Sequence, residues 1–250
     1  MRDIRMLVFH ARLFRHNTYF FQLLLTTTIG MVAMQALVAR APGAELSELG
    51  WLRAGMVGTW TLCAVAVGML GYQNFQGTLV HLVRTPFAAA RTLLPVVGAA
   101  SVFGLAALPL AALVAWALGL PVALPHLGPF LLALLLFWLA CLAVCSLVGI
   151  FFVLTPSAIT YESLVSIPVV LLSGVFGTPP FIPAIVAASS YLLPTRLAVS
   201  ILVQVTTGGG LPWPAVGAVL LLSLLWLAAA WWGTGVVSRR ATITGKLELV

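Results

Sequence analysis

Charge is what this sequence has least of. Only 7% of its 250 residues are charged while 62% are hydrophobic, so charged side chains cannot cover a water-soluble globule of this length. Lys246 is the one lysine against eleven arginines, which, with heavy use of Ala, Leu and Gly, fits a GC-rich bacterial genome. Cysteine is scarce too. Cys63, Cys141 and Cys145 all lie inside apolar runs, which argues against an extracellular disulfide framework. The sequence has no glycine-rich phosphate loop ending in Gly-Lys-Ser or Gly-Lys-Thr, no HExxH and no serine-based catalytic constellation. His10, His16, His81 and His126 are scattered over predicted ends and loops. Any nucleotide used here would have to be bound by another chain.

Long apolar runs are present instead. A helix needs about 20 apolar residues to cross the hydrocarbon core of a bilayer. Six runs of suitable length are predicted to span, at residues 19–39, 54–72, 93–118, 129–154, 160–176 and 212–237. Helices are required because unpaired backbone amides are too costly in lipid, and the alternation of a transmembrane barrel is absent. The net charge of +7 is spread over the ends of these runs, which is a topology signal and not a nucleic-acid patch. Six spans put Arg2, Arg5, Arg12, Arg15, Arg84, Arg91, Arg239, Arg240 and Lys246 on one face, against Arg40, Arg53 and Arg196 on the other. The richer face is predicted to be cytoplasmic, with both termini on it.

Ala39-Arg40-Ala41 mimics a signal-peptide cleavage site, but the preceding run is too long and five more spans follow. Residues 1–18 read as a basic interfacial helix with Ile4, Leu7, Val8 and Ala11 on one stripe; Met6, Phe9 and Leu13 fall off it. Residues 177–211 carry Pro179, Pro180, Pro183 and Pro194, then Gly208-Gly209-Gly210. One straight span over 184–205 would set Arg196 near mid-membrane, at about 2.5 to 3.5 kcal/mol on insertion scales. Two short helices entering the external leaflet and broken at Pro194 avoid that cost. Trp51, Trp116 and Trp213 fall at predicted external ends and Trp231 and Trp232 near an internal one, while Trp60, Trp138 and Trp226 are predicted to pack between helices.

A polar interlude separates the second and third spans, from Tyr72-Gln73-Asn74-Phe75 through Gln76-Gly77-Thr78-Leu79 to Thr85-Pro86. Its period suits a short amphipathic helix, with Phe75, Leu79, Leu82 and Val83 on one side and Gln76, His81 and Arg84 off it. Thr85-Pro86 would stop that helix, because the residue before proline resists helical geometry. Read from physics alone, it serves equally well as an ordinary connection lying on the headgroups.

Gly77-Thr78-Leu79, Leu82 and Thr85-Pro86, in that order after a second span, resemble the coupling segment of type 2 ATP-binding-cassette (ABC) export permeases. Arg15-His16-Asn17 before the first span, Leu172-Ser173-Gly174-Val175-Phe176, Pro183 and Leu193-Pro194-Thr195-Arg196 extend the resemblance over nearly the whole chain. It implies that Gln76, Gly77, Thr78, Leu79, His81, Leu82, Thr85 and Pro86 meet a cytoplasmic ABC ATPase. Many members carry glutamates around the Gly-Thr-Leu. Here Gln73, Gln76 and Val80 take those places, so docking would rest on hydrogen bonds, apolar fit and His81.

Other polar residues carry weaker signals. Glu162, in a helix start capped by Thr160, either complements the helix N-terminus or makes a second cytoplasmic contact. Cys141 and Cys145 share a helix face, which suggests packing more than a soft-metal site. Thr26-Thr27-Thr28, Gln22 and Gln35 are expected to hydrogen-bond between helices, with a pathway lining as the minority reading.

The expectation is thus an all-α integral membrane protein forming one permease domain over 1–250. It comprises an interfacial helix (1–18), six transmembrane helices, a cytoplasmic coupling segment (73–91), an external re-entrant helical hairpin (177–211) and a cytoplasmic tail (238–250). The resemblance implies the permease subunit of an ATP-driven exporter in a bacterial inner membrane, paired with an identical or homologous second permease and with ATP and Mg on a separate ATPase dimer. An apolar interior with Met31, Met34, Trp60, Phe103 and Ser173 along a substrate pathway suggests a hydrophobic or amphipathic cargo: a drug, an antibiotic or a lipid-like or lipid-linked molecule. A lipid- or glycan-exporting permease, a lipid-modifying membrane enzyme and a non-transporting scaffold are the alternatives. No metal and no cofactor is expected on this chain.

Overall fold

The computed structural model describes Arg5, residues 8–10, Arg12 and residues 17–41, 48–75, 97–99, 101–124, 126–154, 158–178 and 180–244. Among these residues the backbone is helical with no strand. The helices are α1 (Thr18–Ala39), α2 (Gly50–Phe75), α3 (Ala107–Ala117), α4 (Leu127–Leu154), α5 (Ala158–Ser173), α6 (Ala184–Ser189), α7 (Pro194–Thr206) and α8 (Trp213–Thr244). A 3-10 turn at Ser190–Leu192 follows α6.

Among the described residues, four stretches are long and apolar enough to cross a bilayer: Thr18–Ala39, Val97–Ala117, Leu127–Ile150 and Trp213–Val236. A fifth arises if the bent pair Ala184–Leu192 and Pro194–Thr206 counts as one. Helices lie at all six expected places, but their bounds differ for local reasons. α2 continues to Phe75, so Gln73 and Asn74 belong to the helix and not to the segment after it. α5 starts at Ala158, which puts Thr160 inside its first turn and not at its cap, and it ends at Ser173 because Gly174 turns left-handed (φ 73°). The third run is broken at Leu105 and Ala106. Pro109 explains the break: its ring clashes with the carbonyl four residues back, that of Leu105. α8 carries on to Thr244, past the predicted end.

α2 and α4 are the two central helices. α2 packs against α1, α3, α4 and α5, and α4 against α2, α7 and α8. Small residues let the first three helices approach closely. A side chain on Gly58 would come within 2.7 Å of Thr28 Oγ1 and 2.8 Å of Ala107 Cβ, and one on Gly55 within 2.9 Å of the Leu108 backbone. Thr59 Oγ1 donates to its own helix at Gly55 O (2.9 Å) and meets Gly104 O at 3.0 Å, tying α2 to the stretch before α3. Trp138 Nε1 of α4 donates to Ser101 Oγ at 2.9 Å. Trp51 starts α2 as expected but turns inward, 2% exposed against Phe130, so it packs and does not anchor at the membrane surface.

Among the described residues, the polar side chains of α1 make no interhelical bond of the kind expected. Thr26 Oγ1 donates back to Gln22 O at 2.8 Å within α1. Thr28 Oγ1 is buried against α2 without a partner. Asn17 caps the helix instead, its Oδ1 accepting from Tyr19 N at 3.0 Å.

Candidate functional site

The bent pair of helices between α5 and α8 is where the irregular sequence acquires a definite form. Leu193 is extended (φ −82°, ψ 121°), as a residue before proline prefers, and Pro194 opens α7 at the position where its missing N–H costs nothing. The chain therefore bends by 88° between the 184–192 and 194–206 helices. The two arms differ. α6 buries no residue; Ile185 within it is 79% exposed, and Phe181 and Leu192 on either side are 77% and 66% exposed. α7 buries Ala198, Val199, Ile201, Leu202 and Val205, and packs against α4, α8 and α5. Trp226 Nε1 ties α8 to the bend by donating to Leu192 O at 3.2 Å. The glycine run after α7 is its cap: Gly208 is left-handed (φ 87°), Gly208 N donates to Val205 O at 3.2 Å and Gly209 N to Gln204 O at 2.8 Å.

Arg196 joins the two stretches that sequence reading treated separately. Its guanidinium lies over Gly174, where a side chain would collide with it, and donates to Thr178 Oγ1 at 2.8 Å. It also stands 5.5 Å from the centre of the Tyr191 ring. The cation thus sits at the C-terminal end of α5, where unpaired carbonyls favour positive charge. The end of α5 and the start of α7 are held together by one side chain.

Beneath this clamp is a small cavity. α2 contributes Met56 and Trp60 to its lining, α4 Phe137, α5 Val170 and Ser173, and α7 Thr195. Its volume is about 10 Å³, at the limit for one water molecule. Trp60 and Thr195 are 5% and 1% exposed, and neither Trp60 Nε1 nor Thr195 Oγ1 has a hydrogen-bond partner among the described residues. An unpaired buried group of this kind costs about 1–3 kcal/mol. Ser173 is satisfied, its Oγ donating to Val170 O at 2.7 Å.

The five residues expected along a substrate pathway are therefore dispersed. Trp60 and Ser173 meet at the cavity, whereas Met34 lies 60% exposed on α1 and Met31 and Phe103 are partly buried elsewhere in the packing. Thr195, which sequence reading did not single out, completes the site. Its signal was the pairing of proline and threonine at a helix start inside an apolar stretch. Gln76, Gly77, Thr78, Leu79, His81, Leu82, Thr85 and Pro86 lie outside the described residues. So does the side chain of Glu162, whose backbone is one turn into α5. Cys63 joins Cys141 and Cys145 in the core between α2 and α4. Among the described residues no group of three His, Cys, Asp or Glu is placed to hold a metal ion. In the N-terminal segment, Val8 and Phe9 are exposed, while burial holds the His10 imidazole below its ordinary pKa.

The sequence model of the ABC-2 type transporter family matches residues 6–206, from the N-terminal segment through the end of α7. The chain belongs to that family. No curated protein matches the chain. Membership makes it a multi-pass membrane protein and a permease component of an ABC transporter, consistent with the apolar helices described above.

Proposed function

We propose that this ABC-2 permease exports a hydrophobic or amphipathic compound, working as one of two membrane subunits driven by two ATPase subunits on separate chains. Its observational basis is the family match over 6–206, which takes in the Gln76–Pro86 segment together with the α5–α7 hairpin. In this reading the chain crosses a bacterial cytoplasmic membrane six times with both termini inside, and the α6–α7 hairpin enters the outer leaflet. The bend of 88° at Pro194 and the position of Arg196 at the start of α7 support a hairpin over a straight crossing.

Closure of the ATPases on ATP and Mg pushes on Gln76, Gly77, Thr78, Leu79, His81, Leu82, Thr85 and Pro86, with Glu162 as a second contact. That push reaches the bundle through α2, which packs against α1, α3, α4 and α5. The ATPase supplies a differential affinity for two arrangements of these helices, and cargo release follows the population shift. Trp60 and Ser173 lie on the path, with Met31, Met34 and Phe103 as further candidates.

Replacing Gly77 and Thr78 by glutamate or arginine tests the reading. Transport and ATPase co-purification are expected to be lost while the chain is still expressed and inserted in the membrane. Full transport by such a variant contradicts the coupling assignment.

A further inference from the structure

The cavity under the Arg196 clamp carries more than a pathway label. Its lining has no charged residue, and beside the satisfied Ser173 hydroxyl two hydrogen-bonding side chains from different helices are buried there without partners among the described residues. One, Trp60 Nε1, can only donate, whereas Thr195 Oγ1 can donate or accept. The site also lies at the start of α7, whose N-cap residue Leu193 provides no side-chain hydrogen bond and whose dipole favours partial negative charge. These features call for an acceptor.

We propose that the cavity is a seat for one uncharged oxygen, held between Trp60 Nε1 and Thr195 Oγ1 and linking α2 to α7. A full negative charge does not fit, because the lining offers no counter-charge and the Arg196 guanidinium is engaged with Gly174, Thr178 and Tyr191. At about 10 Å³ the seat takes one water molecule in this conformation. The second source of the same chemistry is a carbonyl, ether or hydroxyl oxygen on an otherwise apolar cargo, admitted when α5 moves away from α2. Only this second source rests on the permease reading.

The test is NMR of the full chain in nanodiscs with its eight tryptophans labelled at the indole nitrogen, Trp60 being assigned from Trp60→Phe. The Trp60 indole N–H is expected downfield, in hydrogen-bonded range, with a cross-peak to water. Thr195→Val should shift it upfield and Thr195→Ser should restore it, with the other indole signals unmoved. Cyclohexanone, compared with methylenecyclohexane, separates the sources. Loss of the water cross-peak with the ketone alone shows that an organic oxygen takes the seat, and no effect of either assigns the seat to water. A Trp60 signal at the free-indole position without a water cross-peak in the unmodified protein overturns the proposal, as does one indifferent to Thr195→Val. None of these readings needs an ATPase, so failure of coupled transport leaves the seat standing, and a dry cavity leaves the permease reading standing.

Discussion

The bundle contains two kinds of helix junction. Where α1, α2 and α3 meet, Gly55 and Gly58 let the helices touch and Thr59 Oγ1 lies on two carbonyls, while Thr28 Oγ1 is buried without a partner among the described residues. Where α2, α5 and α7 meet, helices end or break, one arginine spans the gap, and two buried polar groups are left without protein partners. Close packing of the first kind has a single arrangement and resists motion. The second kind is held instead by one long, flexible arginine side chain. The α1–α3 side is thus joined by close packing and the α5–α7 side chiefly by one side chain.

The largest effect is expected from Gly58→Leu, because the added side chain meets Thr28 and Ala107 with no room to shift. A loss of about 1–3 kcal/mol should be read as a lower melting temperature of the purified protein. A melting temperature equal to that of the unmodified protein would remove the claim that this seam is tight.

Gly174→Ala comes next, expected to cost about 1–2 kcal/mol from the left-handed backbone alone. Its new methyl also displaces the Arg196 guanidinium. Combined with Arg196→Met, the loss should be less than the sum of the two single losses, since both act on one contact. Strict additivity in that thermal-denaturation cycle would dissolve the clamp.

Thr59→Val should cost about 1 kcal/mol, the net worth of a buried hydrogen bond. Ser223→Ala serves as the control outside both junctions. Ser223 is fully buried and its hydroxyl has no partner, so its removal should be neutral or slightly stabilising in the same melts. A clear destabilisation would mean that the hydroxyl is bonded after all.

Much of this fold was legible because apolar runs bounded by charge or proline leave few alternatives to helices of membrane length. Pro194 revealed the break between α6 and α7, since proline fixes both its own backbone and that of Leu193. The junctions were not legible. Nothing local in sequence says that Gly58 faces Thr28, or that Arg196 reaches back over Gly174, because both contacts depend on how distant helices dock. Thr26, Thr27 and Thr28 misled for the same reason: a threonine in a helix can bond its own preceding turn, as Thr26 does, and needs no neighbour. Trp51 looked like a membrane-surface anchor by its place at a helix end, yet Phe130 on α4 draws it inside. The cavity required Trp60, Ser173 and Thr195 to converge from three helices, and spacing along the chain does not encode that.

The central claim is that this permease moves cargo only when an ATPase on another chain engages it. The most direct measurement reconstitutes the purified chain in liposomes, alone and with the ATPase that co-purifies with it, and follows a fluorescent amphipathic dye across the bilayer. The account predicts no movement by the chain alone, and ATP-dependent movement once the ATPase and Mg are present. Movement of the dye by the chain alone, without nucleotide, would contradict it.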